Sequence, residues 1–235
     1  MLQNSLVKAQ DEKMQVEYES NGISVKLSPV SIRKYLVNGN GDVSDQEVIM
    51  FLQLCRAQRL NPYLKEAYLI KYGQQPATMV VGKEVLTKRA YRAKSYAGRE
   101  AGIIVRGEGG IEHRNGTFAL PEEEIVGGWA KVHVKGYDYP VDMTVSFDEY
   151  CLKKDGKPAS NWAVKPGTMI RKVALVQALR EAFPEELQGM YDADELRVDT
   201  SSFDDAPIEP AQPQIGTPPI YEPDYPAGED DPFAE

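Results

Sequence analysis

The sequence predicts an α+β fold: an antiparallel β-sheet with packed helices, followed by a disordered acidic C-terminal tail. Three observations predict it. Helical and strand-like apolar spacings alternate over residues 26–197, two alternating apolar stretches meet at Gly136-Tyr-Asp138, and the composition changes abruptly over the last 38 residues.

The elements follow in order. Residues 1–25 have little apolar patterning and are expected to be poorly ordered. Ser44-Asp-Gln-Glu47 is a capping box, followed by Val48, Phe51, Leu52 and Cys55 at helical spacing, which predicts a helix over 45–59 ended by Asn61-Pro62. Residues 67–72 and 78–81 flank Gly73-Gln-Gln-Pro76 and read as strand, turn and strand. Residues 83–94 return to helical spacing, with Leu86, Ala90 and Ala93 on one face and Lys88 and Arg92 one turn apart on another. Strands are predicted at 102–106, 125–135 and 139–147. Pro166 suits the first turn of a helix that runs to about Phe183 and stops at Pro184. That helix is apolar nearly all round, which predicts packing on several sides.

The domains predicted are a poorly ordered segment over 1–25, a folded core over 26–197 and a tail over 198–235. The tail has ten acids, no Lys or Arg and eight of the 16 prolines. Removing it changes the charge balance: the chain carries a formal net charge of −9, but residues 1–197 hold 27 basic against 26 acidic side chains. Two segments are strongly basic. Residues 83–106 hold seven bases against two acids, and residues 150–182 repeat that ratio, each a net of +5. Two such segments can line one groove for a polyanion.

Several chemistries are disfavoured. No GxxxxGK[ST] is present, so phosphate-cradling NTPase chemistry is not expected. Asn38-Gly-Asn-Gly-Asp42 resembles the start of a calcium loop, but Val43 and Ile49 stand where Gly and Glu are needed, so a turn before a capped helix is expected. Two histidines, His113 and His133, are too few for a histidine metal site, and His133 is expected in a structural or surface role. Glu122-Glu-Glu124 reads as a solvated charge run, and Cys55 and Cys151 as buried thiols. No stretch of about 18 apolar residues exists and the N-terminus has no apolar signal region, which predicts a soluble protein that is not secreted.

What remains is basic residues interleaved with aromatics: Lys88, Arg89, Tyr91, Arg92, Lys94 and Tyr96 in one segment, Trp162, Lys165, Arg171 and Lys172 in the other. Cations neutralise phosphates and aromatic faces stack on unpaired bases, as single-stranded nucleic acid requires. The helix start at Pro166 adds free amides and a positive dipole end.

The order of short motifs is more specific. Asn61-Pro62-Tyr63 with Lys65-Glu66 and Tyr68 comes first, then Val80-Val81-Gly82 before a helix. Trp162, Pro166, Met169 and Arg171 follow, then Leu179-Arg180 with Ala182-Phe183, and finally Met190-Tyr191-Asp192 with Asp194-Glu195. Over residues 30–196 this order resembles the phage RecT / Red beta recombinases. The resemblance implies an ATP-independent single-strand annealing protein that needs no cofactor and is not an enzyme. It also implies rings or helical filaments of identical subunits, binding of single-stranded DNA and of the annealed duplex intermediate, and a phage exonuclease as partner, in the cytoplasm of a bacterial host. It places DNA contacts at Lys88, Trp162, Arg171 and Arg180, with Lys172 beside them by charge; Arg92 and Lys165 join them from the basic patterning.

Departures are visible. Val85-Leu86 stands where related sequences have Gly-Trp, and Gly167, Thr168 and Val173 stand where Red beta has basic residues. Phosphate contacts are accordingly expected at Lys165, Arg171 and Lys172. Glu229-Asp-Asp-Pro-Phe233 resembles the acidic, Phe-bearing tips of bacterial single-strand DNA-binding proteins, so the tail is expected either to solubilise, to fold back on the basic groove or to dock on a host partner such as the host's single-strand DNA-binding protein. A protein that binds and protects single strands without annealing them, and a metal-dependent nuclease, are the alternatives.

Overall fold

The computed structural model describes residues 14–199. The tail expectation falls almost wholly outside them. Its first two residues, Val198 and Asp199, are engaged with the core: the Val198 amide donates to Ala193 O at 2.9 Å and Ser160 Oγ donates to Asp199 Oδ2 at 2.7 Å.

β1 (Val16–Ser20) and β2 (Ile23–Leu27) form an antiparallel hairpin, so the expectation of poor order is corrected over residues 16–25. The turn is Asn21-Gly22, both at positive φ (52° and 82°), where Asn and Gly are the residues best tolerated. α1 (Pro29–Tyr35) is capped by Ser28 and Ser31 reciprocally. β3 (Val37–Gly39) leads to α2 (Asp45–Ala57), which starts at the expected capping box: the Glu47 amide donates to Ser44 Oγ, and the Ser44 amide donates to Glu47 Oε2 at 2.7 Å.

After a 3-10 turn (Pro62–Leu64) come β4 (Ala67–Lys71), β5 (Thr78–Val81) and α3 (Lys83–Arg92). β3 pairs with β4 in parallel and β5 with β4 antiparallel, giving a three-stranded sheet in the order β3-β4-β5. The second sheet has the order β7-β6-β8-β9 and is wholly antiparallel, built from β6 (Tyr96–Gly107), β7 (Gly110–Asn115), β8 (Glu124–Val134) and β9 (Val141–Ser146). α4 (Phe147–Tyr150), the short hairpin β10 (Lys153–Lys154) and β11 (Lys157–Pro158), and α5 (Asn161–Val164) lead into the long α6 (Pro166–Ala182).

α6 is the hub. Nine of its residues are buried, among them Ile170, Val173, Val176 and Leu179, and it packs on the four-stranded sheet as well as on α3. Gly128 lets it approach: a Cβ there would lie 2.6 Å from Ile170 O. Along β8, Ala130, Val132 and Val134 are buried, whereas Lys131 and His133 are partly exposed and pair across strands with Asp142 (3.5 Å) and Glu100 (3.1 Å). Cys55 and Cys151 are buried free thiols, and burial pushes the Cys55 pKa up to about 12.

Two acids do more than the sequence suggests. Glu123 is not solvated: it receives Arg114 NH1 at 2.6 Å with 10% of its side chain exposed. Glu47 accepts Lys71 Nζ at 2.8 Å on both oxygens and the amides of Ala77 and Ser44 at 2.7 Å, joining α2 to β4. The Lys71 contact first, then the two amides, hold its pKa down at about 2. A depressed carboxylate stabilises the fold above its unfolded pKa and loses that contribution as pH falls toward the folded value. The melting temperature is therefore expected to fall between about pH 4.5 and pH 2, and Glu47→Gln to flatten that part of the pH profile in thermal melts.

Candidate nucleic-acid interface

α3 turns its buried residues Val85, Leu86 and Ala90 toward the core. Lys88, Tyr91 and Arg92, at i, i+3 and i+4, share a different face. Beside Lys88 and Arg92 lies a cleft of about 410 Å³ between α3 and the β1–β2 turn, also lined by Arg59, Arg89, Glu19 and Glu66. Lys88 Nζ is 3.7 Å from Glu66 Oε1, and Arg92 NH1 donates to Asn21 Oδ1 at 2.9 Å. Arg89 serves the fold, donating to the Gln58 side chain at 2.7 Å and to its carbonyl.

At the C-terminal end of α3 a second group forms. Arg99 Nε donates to the Tyr91 hydroxyl at 2.7 Å, and its guanidinium carbon lies 5.7 Å from the Tyr91 ring centre. The Tyr91 ring leans on Tyr96 at 4.8 Å, and Tyr96 lies 6.1 Å from Phe183. Burial, then the Tyr91 hydroxyl, pushes the Tyr96 pKa up to about 12. Arg171 reaches the group from α6. It donates from Nε to Ala101 O at 3.0 Å, a carbonyl that also accepts the Gly116 amide at 3.1 Å. Burial, then the neighbouring Arg99 charge, lowers the Arg171 pKa, while Tyr91 opposes the shift. Two guanidiniums whose charges act on one another in this way favour a bound anion.

Lys165 and Lys172 lie elsewhere, on a cleft of about 270 Å³ at the start of α6, with Lys83, Glu84, Asp192 and Asp194. Lys165 is exposed, but Lys172 Nζ lies 2.8 Å from Asp192 and 2.5 Å from Asp194, both buried carboxylates. Burial works against the Lys172 ammonium, yet the two carboxylates outweigh it and raise its pKa. Burial raises Asp194 to about 6, Asp192 adding to the effect and Lys172 opposing it. Arg180 is held by Glu195, donates to Met190 O at 3.1 Å and lies 4.5 Å over the Tyr191 ring. The Met190–Glu195 motif thus forms an acidic latch on α6, closed at its other edge by the Val81 amide donating to Tyr191 O at 2.8 Å. Trp162 is 3% exposed and packs edge-on against Phe147 at 5.6 Å.

The seven residues singled out by sequence therefore do not converge on one groove. Lys88 and Arg92 line the first cleft, Arg171 joins Tyr91 and Arg99, Lys165 stands on the second cleft, and Lys172, Arg180 and Trp162 are engaged internally. Sequence reasoning missed Arg59 and Arg99 as members of a basic face. Arg99 lies within the first basic segment, but its partner Tyr91 faces it across a helix-to-strand corner that spacing does not reveal. The Asn-Pro motif has a structural account: Asn61 caps the 3-10 turn and Glu66 accepts the Asn61 amide at 2.8 Å.

An α+β core that presents lysines, arginines and an exposed tyrosine along one helix and its neighbours has the composition that a single-stranded nucleic-acid binder needs. The chain belongs to the RecT family, the family of phage-type single-strand annealing recombination, whose family model matches residues 26–209. It is also similar to an uncharacterized protein of Ureaplasma parvum serovar 3, 30% identical over 134 residues that make up 57% of this chain and 52% of the relative. The chain spans about half the length of that relative. Among the described residues no helix is long and apolar enough to cross a membrane, and no group of His, Cys, Asp and Glu could hold a metal ion.

Proposed function

We propose that this protein binds single-stranded DNA and anneals it to a complementary strand without ATP, as an oligomer in the bacterial cytoplasm. The observation that carries the reading is the basic face from Lys88 and Arg92 through Tyr91 and Arg99 to Arg171, on a chain of the RecT family. Two DNA strands repel one another, so a protein that pairs them must first neutralise phosphates. Arginine and lysine at successive positions do this while leaving base edges unread, and base pairing itself then supplies the specificity. Lys88, Arg92, Lys165 and Arg171 are the proposed phosphate contacts among the residues chosen from sequence. Lys172, Arg180 and Trp162 act through the fold, by holding α6 and its acidic latch in position. A ring or helical filament of identical subunits extends the face along the strand, and an exonuclease that generates single strands and the host's single-strand DNA-binding protein are the proposed partners.

Fluorescence anisotropy with labelled 40-nucleotide strands tests the binding half of the reading. Affinity is expected to be the same for unrelated sequences of equal length and secondary structure. It is also expected to fall linearly in log–log form with salt, at a slope of about 0.7 per phosphate neutralised on a single strand. A marked preference for one sequence, or a flat salt response, would contradict it.

A further inference from the structure

An aromatic platform for a DNA base needs an exposed ring, a fixed orientation and cations beside it to hold neighbouring phosphates. Neither tryptophan qualifies: Trp162 is 3% exposed and Trp129 is 7% exposed, its indole lying over the sheet with Nε1 directed at Arg114 O. Tyr91 meets all three conditions. It keeps 47% of its surface exposed, its hydroxyl accepts from Arg99, and its ring is propped by Tyr96 with Phe183 behind. The Arg99 guanidinium lies 5.7 Å from the ring centre, and Arg171 is bonded to Ala101 O at 3.0 Å, two residues along β6 from Arg99. Other exposed aromatics have different settings. Tyr191 faces Arg180, whose charge Glu195 neutralises, while Tyr137 and Tyr139 flank Asp138 on a hairpin tip.

We infer that Tyr91 is a base-stacking subsite, taking the face of one unpaired DNA base while the guanidiniums of Arg99 and Arg171 hold adjacent phosphates. The inference rests on the single-strand-binding half of the proposed function and deepens it. Stacking uses the π-face of a base and leaves its Watson–Crick edge free, so a base seated on Tyr91 still meets the incoming strand. Every base has such a face, so the subsite is indifferent to sequence. Because Arg99 and Tyr96 already hold the ring, little side-chain freedom is lost on binding.

The test uses the full chain and two probes of equal length: oligo-dT, and an oligomer of abasic sites that keeps the phosphodiester backbone and lacks bases. Tyr91→Ala is expected to weaken oligo-dT binding about tenfold and to leave binding of the abasic strand within twofold. Tyr91→Phe keeps the ring but not the hydroxyl bond to Arg99, and is expected to recover most of the oligo-dT affinity. Circular dichroism confirms that each variant is folded, as an exposed side chain predicts. Equal losses on both probes would overturn the inference and leave Tyr91 as a support for Arg99; no loss on either would overturn it as well. If Tyr91→Ala loses oligo-dT selectively but the unaltered protein fails to speed strand pairing, the annealing reading fails and the stacking subsite stands. If it binds neither probe, both fail together.

Discussion

Lys172→Ala lowers stability by roughly 3–5 kcal/mol in urea melts, because it strands the carboxylates of Asp192 and Asp194 in the interior. Both acids are almost fully buried, 2% and 4% exposed, and Lys172 is the cation that serves both. The effect should depend on pH in a definite direction. Asp194 sits with its pKa raised to about 6, so the folded state takes up a proton that the unfolded chain, with an ordinary aspartate, does not. Stability from this group therefore grows as pH falls through about 6 and is absent at higher pH. The destabilisation by Lys172→Ala is accordingly larger at pH 8 than at pH 5, where a proton replaces the missing ammonium. Weak DNA binding by this variant would report unfolding before it reported a lost phosphate contact.

The double substitution Arg99→Ala and Arg171→Ala acts on binding instead. Charge-assisted contacts to phosphate contribute roughly tenfold each, so single-strand affinity at low salt should drop on the order of a hundredfold. The salt slope should fall by about 1.4, for two phosphates no longer neutralised. Arg99 makes its bond to a half-exposed tyrosine and Arg171 to one backbone carbonyl, so neither removal leaves a buried charge behind. Melting temperature should move little, and that separates this variant from Lys172→Ala. The measurement is anisotropy across a salt series together with a thermal melt of the same sample.

Much of the architecture is legible in the sequence because it is local. The Ser44/Glu47 box and the apolar spacing after it place α2, Pro166 and Pro184 bracket α6, and alternation along β8 and β9 gives the hairpin. Asn21-Gly22 is an equally local hairpin signal, but its strands are five residues long and mostly polar on one side, so the β1–β2 hairpin escapes a reading based on apolar pattern. β6 extends six residues earlier than expected, since Gly98, Arg99 and Glu100 look unlike a strand until β8 is found paired beside them. The parallel β3–β4 pair brings Val37 opposite Leu69, a separation that no spacing rule spans.

The candidate site was less legible for the same reason. Charge counts locate the two basic segments, and within them Lys88 and Arg171 are half-buried and Arg92 is exposed. Counting could not distinguish Arg171, beside another guanidinium, from Lys172, one residue on, which turns to two acids twenty residues away. Adjacent residues on a helix point about 100° apart, and here that rotation separates a cation with a bare positive neighbour from one neutralised by the latch.

On this reading the basic face pairs complementary strands. The most direct test mixes two complementary oligonucleotides, labelled as an energy-transfer donor and acceptor, with the full chain at low salt and without ATP. Pairing well above the spontaneous rate is expected, with no signal from non-complementary strands and loss of the acceleration in the Arg99→Ala, Arg171→Ala variant. Tight binding of both strands with no acceleration of pairing would contradict it and identify a protein that sequesters single strands.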